Sequence, residues 1–345
     1  MLPETYVKGF HDEEQIQKMT YNDFGNTGLK VSTISFGTGV FCYAYNDIDL
    51  EECRQTLTRA LKSGINYIDT APYYGHGECE EILGQILQGI PRQAYYIATK
   101  VCRYNKEIKS QFDFTAEKAK ESIDLSLKRL KLDYVDILQV HDIEFAPSLD
   151  IVLNETLPAI QEIVNSGKAR FIGVTGYPVK QLADLVATSK IKLDVVLSYA
   201  RLTLFDDSLS QYLPLFKKHK LAIINAAAHA LGLLTNTGEK PWHVASKHIK
   251  DVCAQARKLC VQNDIELGKL ALWHSLQQQG PDTTLIGIDS LKIVDYSLEV
   301  LHHGLNADEQ RVYKQVLEIF ATNLNEKHWE NYEVNKYWEL IRMLS

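Results

Sequence analysis

The sequence predicts an α/β protein: a (β/α)8 barrel of the TIM type, preceded by an N-terminal β-hairpin and followed by a C-terminal helical tail. Three observations predict it. Strand-like and helix-like segments alternate eight times between residues 34 and 301. Most of the strand segments are short and apolar on consecutive residues, the pattern of parallel strands buried on both faces. No G-x-G-x-x-G follows the first strand, where Phe36-Gly37-Thr38-Gly39 is the nearest approach, so an open dinucleotide-binding sheet is disfavoured. Eight units in roughly 300 residues favour closure into a barrel.

Residues 1–18 read as a polar lead-in. Segments 19–24 and 29–32 flank the turn Gly25-Asn26-Thr27-Gly28 and form the hairpin. Strand 34–39 leads to helix 50–62, and strand 66–70 to helix 78–87. Strand 95–101 leads to helix 116–130, with Thr115 placed as its N-cap. Strand 135–141 precedes helix 151–165, which Gly167 ends. Strand 169–175 precedes helix 179–188, and strand 194–199 precedes helix 209–219. Strand 221–227 is followed by helices 246–262 and 267–278, and strand 284–288 by helix 292–301. The barrel is thus assigned to 19–306. Residues 307–345 are acidic and aromatic, with Trp329, Tyr332, Tyr337 and Trp338, and read as a helical segment packed on the barrel.

The formal net charge of −7 comes with no basic stripe, which argues against a nucleic-acid partner. The most apolar stretch, 221–234, is too short to span a bilayer and is interrupted by Asn225 and His229. The first residues lack the apolar core of a signal peptide, so a cytoplasmic protein is expected. The six cysteines contain no C-x-x-C pair and read as free thiols. No Gly-x-Ser-x-Gly nucleophile appears, and no histidine cluster has the carboxylates or thiolates of a metal site.

The stretch Asn66–Gly77, NYIDTAPYYGHG, organises the rest. A strand ends there in Asp69, and Tyr74 follows five residues on. The next two strands end in Lys100 and His141. Three successive parallel strands ending in ionisable groups place them at one mouth of a barrel, where active sites sit. Taken singly, each has a plainer reading: Asp69 as a cap or structural ion pair, Tyr74 as a packed loop aromatic, Lys100 as a strand-end lysine, His141 as a core histidine. Together they point to a site. A nearby ammonium lowers a phenol's pKa, so Lys100, held by Asp69, is expected to lower that of Tyr74. His141 would orient a substrate oxygen. A proton-exchanging tyrosine with neither nucleophile nor metal implies that a cofactor does the rest, most simply by hydride transfer.

These residues carry a resemblance. The run DFGNTGLKVSTISFGTG, then INYIDTAPYYG, the lysine of YIATK, the histidine of DILQVHD and IGVTG resemble the aldo-keto reductase superfamily over about residues 20–300. The resemblance implies a nicotinamide-dependent oxidoreductase whose tetrad falls on Asp69, Tyr74, Lys100 and His141. GKARFIGVTGYPV, DVVLSYARLTLFDDSL and ALGLLTNTGEKPWHVAS are similar to the L-galactose dehydrogenase branch, which oxidises a sugar at C1 to a lactone. Two departures from the wider superfamily stand out. Ala226-Ala227-Ala228 replaces the run bearing the aromatic that stacks on the nicotinamide. The basic cluster for a 2′-phosphate is replaced by Gly287-Ile288-Asp289-Ser290-Leu291-Lys292, where Asp289 favours NAD over NADP. By the same resemblance Thr175, Ser198, Asp289, Ser290 and Ser297 fall at cofactor-binding positions, with Gly176 where the family has an asparagine. Candidates to line the substrate mouth are Phe41, Tyr43, Tyr45, Tyr104, Tyr177, Trp242 and His243. The expected ligand is a sugar or another small carbonyl compound, and a closed barrel with no shared edge is expected to be a monomer. An NADPH-dependent aldehyde or ketone reductase and a nucleotide-sensing barrel are the alternatives.

Overall fold

The computed structural model describes residues 2–42 and 49–344. An antiparallel hairpin, β1 (Tyr21–Asp23) and β2 (Lys30–Ser32), supplies the first two strands. Parallel strands follow: β3 (Ile34–Gly37), β4 (Tyr67–Asp69), β5 (Tyr96–Val101), β6 (Val135–Val140), β7 (Ala169–Gly176), β8 (Val195–Tyr199), β9 (Ala222–Ala226) and β10 (Thr283–Gly287). They close into a barrel in chain order, β10 returning to β3 with Ile286 opposite Phe36. Helices connect successive strands, as the alternation of apolar segments predicts.

Strand side chains alternate between two faces. The inward set includes Tyr67, Ala98, Ile137, Leu197, Ile224 and Leu285, and it packs with Phe24, Leu29 and Val31 of the hairpin. Phe24 lies 5.4 Å from Tyr67, centroid to centroid. The hairpin therefore plugs the end where the strands begin. The outward set packs beneath the helices. What is left for chemistry is the end where the strands finish.

Three local differences from the sequence expectation have physical causes. The polar lead-in folds: Asp12 caps a short helix, Glu13–Lys18, and Thr5 accepts a hydrogen bond from the buried Asn66 amide at 3.1 Å. Strand β9 stops at Ala226 because Ala227 turns to φ 55°, a left-handed conformation that breaks the ladder. The helix expected over 151–165 opens into a π-helical turn at Val152–Thr156, where Thr156 Oγ1 donates to Phe114 O.

The C-terminal segment is two helices. Ala307–Asn323, opened by a capping box of Asn306 and Glu309, lies along helix Lys247–Gln262. Residues 324–331 and helix Tyr332–Leu344 then cross the mouth of the barrel. Trp329 stacks on Tyr177 at 4.8 Å, Glu330 pairs with Arg201 at 2.7 Å, and Glu333 pairs with Arg103 at 2.9 Å. Those partners sit on the loops after β7, β8 and β5.

Candidate active site

Asp69, Lys100 and His141 reach the mouth by strand alternation, in step with Tyr67, with Ala98 and with Gln139. Lys100 and Asp69, each 2% exposed at the side chain, form a buried ion pair. Gln139, opposite Lys100 in the β5–β6 register, donates to the other Asp69 oxygen at 2.8 Å. Lys100 Nζ also donates to Thr70 O at 2.8 Å. The acid is thus satisfied on both oxygens, as a buried carboxylate must be.

Tyr74 is delivered by the loop that leaves β4. The backbone turns at Tyr74–Gly77, with left-handed residues at Gly75 and His76, and helix Glu78–Ile86 starts at once. Lys100 Nζ then lies 3.2 Å from the Tyr74 hydroxyl, and His141 meets the Tyr74 ring edge-on at 5.8 Å. The sequence brings four side chains from β4, its loop, β5 and β6 to one point.

The electrostatics differ from the sequence expectation in one respect. Tyr74 is pushed well above the usual phenol range, first by burial, then by the charges of Asp69 and Asp142, with Arg103 opposing. The physical reason is that Asp69 offsets the charge of Lys100, so burial dominates. Tyr74 rests as a neutral phenol, a proton donor. His141 is lowered to about 3, chiefly by burial; Asp142 opposes, and Lys100 and Arg103 add to the lowering. A neutral imidazole offers a hydrogen bond to a substrate oxygen without titrating near neutrality.

The wall beside the tetrad was not anticipated. Arg103 stacks on Tyr73 with its guanidinium carbon 3.9 Å from the ring centroid, and pairs with Asp142 and Glu333. Glu144 accepts from Tyr177 N at 2.9 Å, leaving Oε2 buried without a partner. Alternation from His141 could have exposed Gln139, and Asp142 follows His141 directly. Arg103 had no signal in the chain, because its partners lie on remote segments.

The expected cofactor positions scatter. Thr175 Oγ1 accepts from Asp142 N at 3.0 Å and holds that turn. Ser198 is corrected: between the inward Leu197 and Tyr199, alternation turns it to the outer face of β8, where its hydroxyl is buried without a partner. Ser297 is fully buried in helix Leu291–His303, with its hydroxyl also unpartnered. Ser290 stands at the N-cap of that helix but does not cap it with its side chain. Asp289 raises the thiol of Cys53 together with the larger effects of burial, Glu52 and Asp49, and its charge also reaches His229 and Tyr296.

The substrate candidates are mostly covered. Phe41 is buried against Phe36. Tyr104 turns its hydroxyl inward to accept from Cys102 N at 2.8 Å. Tyr177 lies under Trp329 and accepts from its backbone N–H at 3.0 Å. His243 has both ring nitrogens on backbone groups, Ala230 O at 3.2 Å and Ala245 N at 3.1 Å, and so has none for a ligand. Trp242 is 43% exposed. Tyr43 and Tyr45 lie outside the described residues. No group of metal-ligating side chains occurs among the described residues, and no described helix is long and apolar enough to cross a membrane.

The profile of the aldo/keto reductase family matches residues 33–318. The chain belongs to that family. It is 40% identical over 283 residues to an L-galactose dehydrogenase of Arabidopsis thaliana, covering 81% of this chain and 86% of that one. It is 29% identical over 284 residues to a D-arabinose 1-dehydrogenase of Saccharomyces cerevisiae, covering 78% and 82% of the two chains. Among solved structures it is similar in fold to the holo form of an aldo-keto reductase from Bacillus halodurans, with a TM-score of 0.69, 24% identity and coverage of 86% and 96%. As a member of this family the chain is an oxidoreductase of the type that uses a nicotinamide cofactor.

Proposed function

We propose that this protein is an NAD-linked sugar dehydrogenase that oxidises an aldose such as L-galactose at C1 to the lactone. The observation that carries the reaction type is the Tyr74 hydroxyl set 3.2 Å from Lys100 Nζ, with the His141 ring edge-on to the Tyr74 ring. The names of two relatives, both sugar dehydrogenases, support the substrate class.

The helix N-terminus at Ser290 would hold the dinucleotide, with Asp289 close to the ribose. The bound nicotinamide supplies the hydride acceptor. The chain's own residues do the rest. His141 and Tyr74 hold the anomeric oxygen of the sugar. As hydride leaves C1, Tyr74 takes the hydroxyl proton and the C1–O bond becomes a carbonyl. For this direction Tyr74 must first lose its own proton, which burial opposes and the ammonium of Lys100 favours. The reverse step uses Tyr74 as the acid it is at rest.

NAD is favoured because Asp289 and its acidic neighbours Asp49 and Glu52 would repel a 2′-phosphate. A cytosolic monomer completes the reading: all six cysteines are buried and none is in a disulfide, which fits a reducing compartment, and the closed barrel offers no edge strand to share.

The test is absorbance at 340 nm on purified protein with NAD and then NADP, against a panel of aldoses. NADH formation with L-galactose or a close epimer is expected. Silence on every sugar, with NADPH consumed by simple carbonyls, would replace this reading with a reductase.

A further inference from the structure

Asp142 follows His141 directly and adopts a left-handed conformation, φ 57° and ψ 68°. That conformation is sparsely populated for residues other than glycine, and such strain tends to be kept where a site needs it. The turn is held by Thr175 and Arg103. Thr175 Oγ1 accepts from Asp142 N at 3.0 Å and lies 3.3 Å from Asp142 Oδ1. Arg103 Nη1 donates to Asp142 Oδ2, and Arg103 is itself held by Glu333 at 2.9 Å. The outcome is a carboxylate whose Oδ2 lies 3.6 Å from His141 Nε2, with its side chain 3% exposed.

A buried ion pair is a costly wall for a mouth that handles only a carbonyl group, because desolvation can outweigh the attraction. Its place beside His141 gives it a purpose. If the reacting oxygen is bound by His141 and Tyr74, a hydroxyl on the adjacent carbon stands about one hydrogen-bond length away. Among the described residues Asp142 Oδ2, 3.6 Å from His141 Nε2, is an acceptor on that side, and a carboxylate keeps lone pairs free after its bonds to Arg103 and Thr175.

We propose that Asp142, pinned by Arg103, accepts the hydroxyl on the carbon next to the reacting one, so that the site selects 2-hydroxy substrates over plain carbonyl compounds. This rests on the oxidoreductase reading above and needs only the hydride transfer, not the particular sugar. Asp142 is therefore a specificity-determining residue of the polyol class.

The experiment compares two substrate pairs: an aldose against its 2-deoxy counterpart in oxidation, and glyceraldehyde against propanal in reduction. NADH affinity is read separately by quenching of protein fluorescence. The wild type should prefer the hydroxylated member by about 10- to 100-fold in kcat/KM, as expected for a hydrogen bond to a charged group. Asp142→Asn should cut that preference to about 3-fold or less, leaving NADH affinity unchanged. Arg103→Lys, which keeps the charge but loses the planar fork, should cut it part-way and serves if the first variant does not fold. An undiminished preference in either folded variant would overturn the proposal, as would a wild type with no preference in both pairs. A wild type that oxidises no aldose yet prefers glyceraldehyde would sink the sugar reading and leave this one standing.

Discussion

Replacing Lys100 by methionine tests the electrostatic core of the site. The side chains are close in size, so the change removes one charge and little packing. The Lys100 ammonium lies 3.2 Å from the Tyr74 hydroxyl. A unit charge at that distance interacts with a developing phenolate by about 5 kcal/mol at an effective dielectric constant of about 20. Only part of that charge has formed in the transition state, so a loss of about 3 kcal/mol, roughly 100-fold in kcat for sugar oxidation, is expected. Proton uptake by Asp69 in the variant would make the loss smaller. The same change leaves Asp69 buried with Gln139 as its remaining side-chain partner, and breaking a buried pair costs about 3–5 kcal/mol of stability. The double variant Lys100→Met/Asp69→Asn should therefore recover much of the melting temperature but none of the activity. Steady-state absorbance at 340 nm gives the rate, and thermal unfolding gives the stability. A Lys100→Met enzyme within threefold of wild-type kcat would refute the role given to Lys100. Recovery of activity in the double variant would show that the pair acts only as scaffold.

Other predictions follow from the same geometry. Tyr74→Phe should abolish turnover while leaving cofactor affinity nearly intact; a variant with most of its kcat would remove Tyr74 from the proton transfer. Asp289→Ala should raise NADP use relative to NAD, and an unchanged ratio would undo the argument for NAD. Oxidation requires ionised Tyr74, whose pKa lies well above 10, so its rate should climb with pH past neutrality, with no inflection near 6.5 because His141 is neutral down to about 3. Because His141 and His243 are lowered to about 3 and about 4, their contribution to stability is present above the unfolded value near 6.5 and is lost as pH falls through that window. Melting temperature measured from pH 7 to pH 4 should decline accordingly. Gly84→Ala should destabilise by more than about 2 kcal/mol, because a Cβ there would lie 1.9 Å from the carbonyl oxygen of Arg129 on the facing helix; unchanged thermal unfolding would contradict that packing.

The barrel was legible because strand and helix periods differ, and consecutive apolar residues between helical segments have few other solutions. Asp69, Lys100 and His141 were legible for a local reason: each ends a strand, and parallel strands end together. Other features are not local. Arg103, Glu333, Trp329 and Tyr177 meet only because the C-terminal segment folds back across the mouth, and no spacing in the chain encodes that path. Ser198 shows a different limit. Its type suited a cofactor, but one step of strand register turned it away from the barrel interior. The pKa of Tyr74 shows a third. Its neighbours were foreseen, but burial outweighs them, and the depth of a site is a property of the whole fold.

Hydride transfer from C1 to the nicotinamide is tested most directly by following the hydrogen itself. An aldose carrying deuterium at C1 is incubated with the enzyme and NAD, and the NADH formed is analysed by mass spectrometry. Deuterium is expected on the cofactor with wild type, and Tyr74→Phe is expected to form no labelled NADH although it binds NAD. Unlabelled NADH from the wild type, or labelled NADH formed at full rate by Tyr74→Phe, would contradict it.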